Sequence, residues 1–330
     1  MQYRIEIDAS PLKDMLYTLK KIKYLNKEDL KKILYSRAYR YMLFTNSLST
    51  NDLIEILDNL SRGSEPKEDR LKWIYNEFKN CMENIDKYYS FVNSIELRKA
   101  EIIGSAYSRA MKYLFENAEI DVKVYIVIGG SDAYGVNLLD TKAIIMNSTH
   151  FLDNIDKFIA ILAHEIHHKA LWRSREIYWR LEKRGLIILK YIYDIMSEIV
   201  GEGVASIVAS PYIMMEKYNL LKNNINREYA AVEEGIINIY EKISEKRAKE
   251  IFDKLYTNVG PIYMVGIDMA LKIEKYLGRK DLIETLEDPT SYAFFKKYIT
   301  SLNEMENPYI YSEKLIKILG KVYRKIIEIY

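Results

Sequence analysis

The sequence predicts a mainly α-helical protein with a small β-sheet, which places it in the α+β class. Apolar residues recur at helical spacing through most of the 330-residue chain. The period changes to alternation, as in a half-buried strand, only at the N-terminus and between residues 121 and 147. Because 49% of the residues are apolar, the chain can also bury the sizeable core that these elements need.

The composition excludes several classes of protein. The formal net charge is +2 and no basic block is present, which argues against a dedicated nucleic-acid-binding protein. Cys81 is the only cysteine, so an internal disulfide framework is excluded and a reducing compartment is favoured. The N-terminus has no apolar signal segment, and every 18-residue window carries a charge. We therefore predict a cytoplasmic protein without a membrane span, and the composition indicates no oligomeric state.

Residues 1–118 are predicted to form a helical N-terminal region without recognisable chemistry, and residues 119–330 form a second region. Alternation at residues 2–7 predicts a short strand, and Ser10-Pro11 is typical of a helix N-cap followed by proline at the first helical position. Helical patterns follow at 11–24, 27–45, 51–61, 67–90 and 92–117, with Asn26 and Asn51 as caps of the second and third.

A small β element is predicted directly before the most informative stretch of the chain. Residues 122–128 alternate as a strand does, 129–132 are typical of a turn, and 143–147 predict a second strand. An edge strand beside a cleft can pair with an extended peptide. Two interpretations of residues 130–146 stay open: an edge that binds a peptide, or a hairpin that only covers the next helix.

That stretch is the His-Glu-x-x-His motif, with His164 first, Glu165 second and His168 last. The chain has four histidines, and three of them lie within these five residues. Side chains at positions i and i+4 of a helix lie on one face, so both imidazoles can bind one metal ion. Glu165 lies beside them, where it can reach a water on that ion. Zinc suits such a site, because catalytic zinc keeps one of about four positions for water.

The surrounding pattern predicts that the motif lies on a buried helix. Asp153 or Asn154 can cap its N-terminus, and the pattern continues to about Trp172. Apolar residues at helical spacing form its inner face, namely Ile155, Phe158, Ile159, Leu162 and Ile166.

Two histidines need a third ligand, and we expect a carboxylate because no histidine follows His168. A helical pattern at 186–206 carries Glu198 and Glu202 on one face. Two glycines flank Glu202 and weaken a helix by about 1 kcal/mol each, so we expect this backbone to approach the motif helix closely. This reasoning favours Glu202. Glu198 is the alternative, as a ligand or as a residue that orients a ligand imidazole. The remaining helical patterns lie at 227–257, 261–277, 289–303 and 311–329.

These motifs resemble those of the gluzincin metallopeptidases, which combine His-Glu-x-x-His with a glutamate as third ligand. The chain has Glu202-Gly203-Val204-Ala205 in the position of the gluzincin Glu-Gly-x-Ala element. It is most similar to a family of zinc-dependent peptidases with His-Glu-x-His-His, Glu-Gly-x-Ala and a later Tyr-x-x-Gly-x-x-Met-Ala helix, here 263–270. The resemblance covers about 122–298 and implies that 119–330 is a zincin-like catalytic region with a helical C-terminal part.

The resemblance also implies roles for individual residues. One zinc ion is held by His164, His168 and Glu202, and Glu165 is the general base. Tyr263 is the candidate hydrogen-bond donor to the oxyanion, and its other interpretation is packing alone. Tyr134 is the second candidate for this role and His150 the third.

Two departures from the gluzincin pattern limit what is carried over. Ser206 stands where gluzincins often have an aspartate that orients a histidine. The Gly-x-Met-Glu-Asn element that grips a free amine is absent, so an N-terminal exopeptidase is not expected.

The predicted function is hydrolysis of peptide bonds by a zinc-activated water, with a peptide or an unfolded protein as substrate. An alternative is a zinc-binding regulator or interaction protein of the same fold that does not cleave peptides. A third interpretation is a metal-free helical interaction protein.

Overall fold

A computed structural model describes residues 3–24, 27–131, 133–138, 141–171, 173–212, 214–241, 244–257 and 259–329. The described chain is mainly helical with one small sheet, which confirms the predicted fold class. It divides into two compact units. The sheet unit comprises Gln2–Ser108 and Glu119–Lys169, and the helical unit comprises Arg109–Ala118 and Ala170–Tyr330. No helix within these described ranges is both long enough and apolar enough to cross a membrane.

The described residues of the first half form four strands and eight α-helices. In chain order they are β1 (Tyr3–Asp8), α1 (Ser10–Lys20), α2 (Lys27–Tyr35), α3 (Arg37–Thr45), α4 (Thr50–Arg62), α5 (Asp69–Glu83), α6 (Ile85–Leu97), α7 (Lys99–Met111), β2 (Ile120–Val127), β3 (Ala133–Leu138), β4 (Thr141–Asn147) and α8 (Ile155–Ala170).

The second half is helical throughout its described residues. Its helices are α9 (Arg173–Lys183), α10 (Ile187–Val208), α11 (Met214–Leu221), α12 (Ile225–Tyr240), α13 (Glu245–Tyr256), α14 (Pro261–Leu277), α15 (Arg279–Thr285), α16 (Tyr292–Thr300) and α17 (Glu313–Ile327).

Two predicted caps were wrong. Ser10 is the first residue of α1 rather than its cap, and its hydroxyl donates a hydrogen bond to Asp8 Oδ1 (2.6 Å). Ser49 rather than Asn51 caps α4, because its Oγ accepts from Asp52 N while the Asp52 carboxylate accepts from Ser49 N. The predicted cap Asn26 lies outside the described residues.

Several predicted helices were too long, and some were missed. The patterns at 67–90 and 92–117 form α5, α6 and α7, which break at Asn84 and Arg98. The pattern at 27–45 divides into α2 and α3, and that at 227–257 into α12 and α13. Helices α9, α11 and α15 were not predicted. Helical periodicity continues across these short breaks, so the pattern alone does not locate them.

The sheet has the strand order β1-β2-β4-β3. Strands β1, β2 and β4 are parallel, whereas β3 pairs antiparallel with β4 and lies at the edge. The predicted strands at 2–7, 122–128 and 143–147 correspond to β1, β2 and β4, and β3 was not predicted. In β2 the residues from Val124 to Val127 are all buried, as expected for a central parallel strand covered on both faces.

The turn between β2 and β3 is held by the end of β4. Asn147 is fully buried, its Oδ1 accepts from Gly129 N (3.2 Å), and its Nδ2 donates to Gly130 O (2.7 Å). Both glycines have φ of +98°, a conformation that favours glycine. The side chain of Asn147 therefore fixes the point from which β3 departs.

Within the helical unit, α10 and α14 touch through their backbones at two glycines. A Cβ on Gly203 would lie 2.7 Å from Gly266 Cα, and a Cβ on Gly266 would lie 2.9 Å from Gly203 Cα. Neither contact can be relieved by turning a side chain. The expected reason for the glycines around Glu202, a close approach to the motif helix, is therefore corrected: the partner at Gly203 is Gly266 of α14.

A buried aspartate fixes α14 to its other neighbours. Asp268 is 4% exposed and accepts hydrogen bonds from the hydroxyls of Tyr218 (2.8 Å) and Tyr229 (2.9 Å). Lys272 Nζ lies 2.7 Å from the Asp268 carboxylate and balances its charge. Because a buried carboxylate needs such partners, this network sets the position of α14 against α11 and α12.

We predict that Gly203→Ala and Gly266→Ala each lower the free energy of unfolding by about 1–3 kcal/mol, because the new methyl group meets backbone atoms. Gly320→Ala, in α17, is the control, since its Cβ would meet only Tyr292 Oη at 3.7 Å. It should instead stabilise the helix by about 0.5–1 kcal/mol. Urea unfolding measures all three variants, and equal stability of Gly203→Ala and Gly320→Ala would contradict the contact.

Candidate metal centre

Helix α8 brings the two motif histidines together. Asn154 Oδ1 accepts from Lys157 N (2.8 Å) at its start, so of the two predicted caps Asn154 is the one that binds the first turn. His164 is buried and His168 is half-buried. Their Nε2 atoms lie 3.0 Å apart, with ring centroids 4.6 Å apart. One helical turn thus directs two imidazole nitrogens at the same point.

This separation fits a shared tetrahedral ion. Two nitrogens that each lie 2.0–2.1 Å from one zinc ion at the tetrahedral angle are about 3.3 Å apart. The observed 3.0 Å is close to that value. His167, between them, is fully buried, as expected for a side chain that leaves the helix about 100° away from its neighbour.

Glu202 is the third member of the group. It lies on α10, is buried, and is followed by the Gly203 contact with α14. His164, His168 and Glu202 each offer one ligand atom, and these atoms all lie within 4.8 Å of one another. Glu198, the alternative from the sequence, is half-buried one turn earlier on α10 and is not part of this group.

The donor set is the one that zinc uses in proteins. Two imidazoles and one carboxylate satisfy three of about four positions of a borderline-soft cation and leave one for water or substrate. The residues present therefore fit a zinc ion. Both the donor atoms and the distances between them are those expected of a zinc site.

Glu165 is buried beside His164, with 7% of its surface exposed. Its Oε2 lies 3.6 Å from the position that a Cβ on Gly135 would take, so the carboxylate faces strand β3. A carboxylate next to a metal-ligating histidine on the same helix can accept a proton from water.

Tyr263 lies in the first turn of α14 and is 8% exposed. Burial raises the pKa of its hydroxyl far above the ordinary value, and the negative charge of Glu202 raises that pKa further. Tyr256 also contributes, with its ring centroid 5.4 Å from that of Tyr263. The hydroxyl therefore keeps its proton over the whole working pH range and can donate a hydrogen bond.

His150 and Tyr134 were the alternative candidates for the hydrogen-bond donor to the oxyanion. His150 follows β4 and its Nε2 lies 3.8 Å from Glu77 Oε1. It lines a polar cavity of about 330 Å³ in the sheet unit, together with Asn84, Lys87 and Thr149. The Tyr134 side chain and Trp172 lie outside the described part of the chain.

Two further residues near the motifs have features that the sequence reasoning did not use. Lys169 is 3% exposed and packs against Gly135. The sequence could have indicated its place beside the site, because it lies four residues after Glu165 and therefore on the same face of the helix. Ser206 is fully buried, and its Oγ makes no hydrogen bond to any residue in the described ranges.

Comparison with protein families gives a match over most of the chain. Residues 15–306 match the model of a family described as "Putative zinc dependent peptidase (DUF5700)". No curated protein and no solved structure matches the chain. Because this match covers most of the 330 residues and includes both the histidine pair and Glu202, the chain belongs to this family.

Proposed function

We propose that the protein is a gluzincin-type metallopeptidase that uses one zinc ion, held by His164, His168 and Glu202, to hydrolyse peptide bonds. The observation that carries the proposal is the pair of Nε2 atoms 3.0 Å apart, with a carboxylate oxygen of Glu202 in the same group. Membership of a family named for zinc-dependent peptidases supports the same reaction class.

Zinc bound there supplies Lewis-acid chemistry, since it polarises the scissile carbonyl and lowers the pKa of water to about 7. The residues of this chain provide the proton transfers. Glu165 accepts a proton as water attacks the carbonyl carbon, and then delivers it to the leaving amine nitrogen. Its burial keeps bulk water away from this transfer.

Tyr263 is the proposed donor to the oxyanion that forms as the carbonyl becomes tetrahedral. Its position supports this role, because its hydroxyl lies near enough to Glu202 to feel the charge of that carboxylate and carries a proton that it can donate. Its position beside Glu202, on a helix fixed by Gly266 and Asp268, would hold the hydroxyl in a defined place.

A peptide or unfolded protein is the substrate class that the sheet supports. Strand β3 lies at the sheet edge, and its residue Gly135 is close to Glu165. An extended peptide can add to such an edge through backbone hydrogen bonds and so reach the base. The near-neutral charge of the chain supports no role for nucleic acid.

A cytoplasmic location is proposed on two grounds. Cys81 is a free, buried thiol, and its burial raises its pKa to about 12, so it serves neither a disulfide nor a reactive thiolate. The near-balanced acids and bases and the absence of a disulfide framework are typical of a reducing compartment.

The zinc site predicts the metal content of the protein. Protein purified without added zinc should contain about one equivalent of zinc, and His168→Ala or Glu202→Ala should lose it. Glu198→Ala is the matched control, since Glu198 lies one turn earlier on the same helix, and it should keep the metal. Elemental analysis measures the content, and stably folded, metal-free wild-type protein would count against the site.

If Glu165 is the general base, its substitution should slow hydrolysis without affecting zinc binding. Glu165→Gln should keep zinc but lower the rate of hydrolysis of an unfolded protein by about 10²–10⁴-fold, because the amide cannot accept the proton. The assay is release of new amino termini. If the wild-type protein binds zinc yet cleaves nothing in a broad peptide library, the zinc-binding regulator is the better description.

Tyr263→Phe tests the oxyanion donor. Loss of the hydroxyl should lower kcat by roughly 10²–10³-fold with little change in KM or zinc content. Tyr276→Phe, later on the same helix, is the control and should leave kcat unchanged. Full activity of Tyr263→Phe would assign Tyr263 to packing alone.

A further inference from the structure

Lys169 is a buried charged residue that the proposed reaction does not use. It lies in the last turn of α8, one helical turn after Glu165, and is 3% exposed. Residues four apart on a helix lie on the same face, so both side chains leave α8 in the same direction. Burial of an ammonium group is strongly unfavourable unless the surrounding structure compensates it, which indicates a defined role.

The end of the Lys169 side chain lies against Gly135 of strand β3. A Cβ on Gly135 would be 2.5 Å from Lys169 Nζ and 2.7 Å from Lys169 Cε. Gly135 pairs with Ile144 in the regular antiparallel ladder, and its φ lies outside the left-handed region. Neither a turn nor the backbone conformation therefore requires glycine. The close approach of Lys169 is the remaining physical reason for a glycine inside this strand.

Glu165 is the next nearest group to the same point. Its Oε2 would be 3.6 Å from the Gly135 Cβ, which is an ordinary van der Waals contact. The ammonium group, the carboxylate and one residue of β3 therefore converge within a single unit of the fold. Among the described residues, only the Lys169 side chain stands closer to that Cβ position than an ordinary contact allows.

Strand β3 is the element that this contact can position. It lies at the edge of the sheet, and Asn147 already fixes the turn from which it departs. A second attachment in the middle of the strand, at Gly135, would set its separation from α8. A peptide paired with this edge would then stand at a fixed distance from Glu165.

We propose that Lys169 is a positioning residue, whose ammonium group occupies the space at Gly135 and fixes β3 relative to the Glu165 carboxylate. A peptide carried by β3 is thereby presented to the base at the reacting distance. The role of the peptide rests on the proposed function, whereas the contact between Lys169 and Gly135 does not.

A double-mutant cycle followed by thermal unfolding tests the contact without any assay of activity. Gly135→Ala should lower Tm in the wild-type background, because its methyl group displaces the ammonium group. In a Lys169→Ala background the same change should leave Tm unchanged or raise it. There the nearest remaining atom among the described residues, Glu165 Oε2, is 3.6 Å from the new methyl group, and alanine restricts the unfolded chain more than glycine does. Lys169→Leu replaces Lys169→Ala if that variant does not fold, since leucine also ends short of Gly135.

Gly104→Ala is the control for the cycle. It lies in α7 of the sheet unit, and nothing lies within 4 Å of its Cβ position. It should raise Tm by the same amount in both backgrounds. An equal effect of Gly135→Ala with and without the Lys169 side chain would overturn the contact and, with it, the positioning role.

Lys169→Met tests the role of the charge, because methionine keeps most of the length and removes the ammonium group. Zinc content should stay at the wild-type value, whereas kcat on a peptide should fall by roughly 10²-fold with little change in KM. Wild-type kcat in Lys169→Met would overturn the positioning role. If the wild-type protein itself cleaves no peptide, the proposed function fails and the positioning role falls with it, while the cycle still decides the contact.

Discussion

The spacing of His164 and His168 by one helical turn is the constraint on which the rest of the site depends. It directs two Nε2 atoms to within 3.0 Å of each other from a single rigid element. Helix α8 keeps them there because its residues from Phe158 to His167 are all buried. Two imidazoles held so close need either a shared proton or a shared cation between them, and only a cation lets both accept at once. In the proposed function, the carboxylate of Glu202 supplies the negative charge that favours the cation.

The position of Glu202 depends in turn on how α10 meets α14. Because Gly203 and Gly266 have no side chains, the two helices touch through their backbones, and Tyr263 is held one turn before that contact. The Asp268 network then fixes α14 from its other face. The close packing of the two helices thus offsets the stability that glycine removes from each helix. The same packing fixes the position of the Glu202 carboxylate on α10 relative to the Tyr263 hydroxyl on α14.

The sequence could predict the parts of the site that are local. His164, Glu165 and His168 share one helix, so their spacing alone states their geometry. The sequence also indicated that the backbone at Gly203 approaches another helix closely. The predicted partner, the motif helix, was wrong, because the partner is Gly266, which is distant in sequence. Strand β3 was missed for a related reason. A glycine interrupts its pattern, and its neighbours lie in other elements: Asn147 binds the turn before it, and Lys169 lies against Gly135. The local periodicity of apolar residues does not show which distant residue a glycine contacts.

The most direct measurement of the central claim is a crystal structure with anomalous diffraction recorded on both sides of the zinc absorption edge. The account predicts one anomalous peak, about 2.0–2.2 Å from a nitrogen of His164, a nitrogen of His168 and an oxygen of Glu202. A zinc peak held by other residues, or a peak on the two histidines with Glu202 turned away and no other carboxylate in its place, would contradict it.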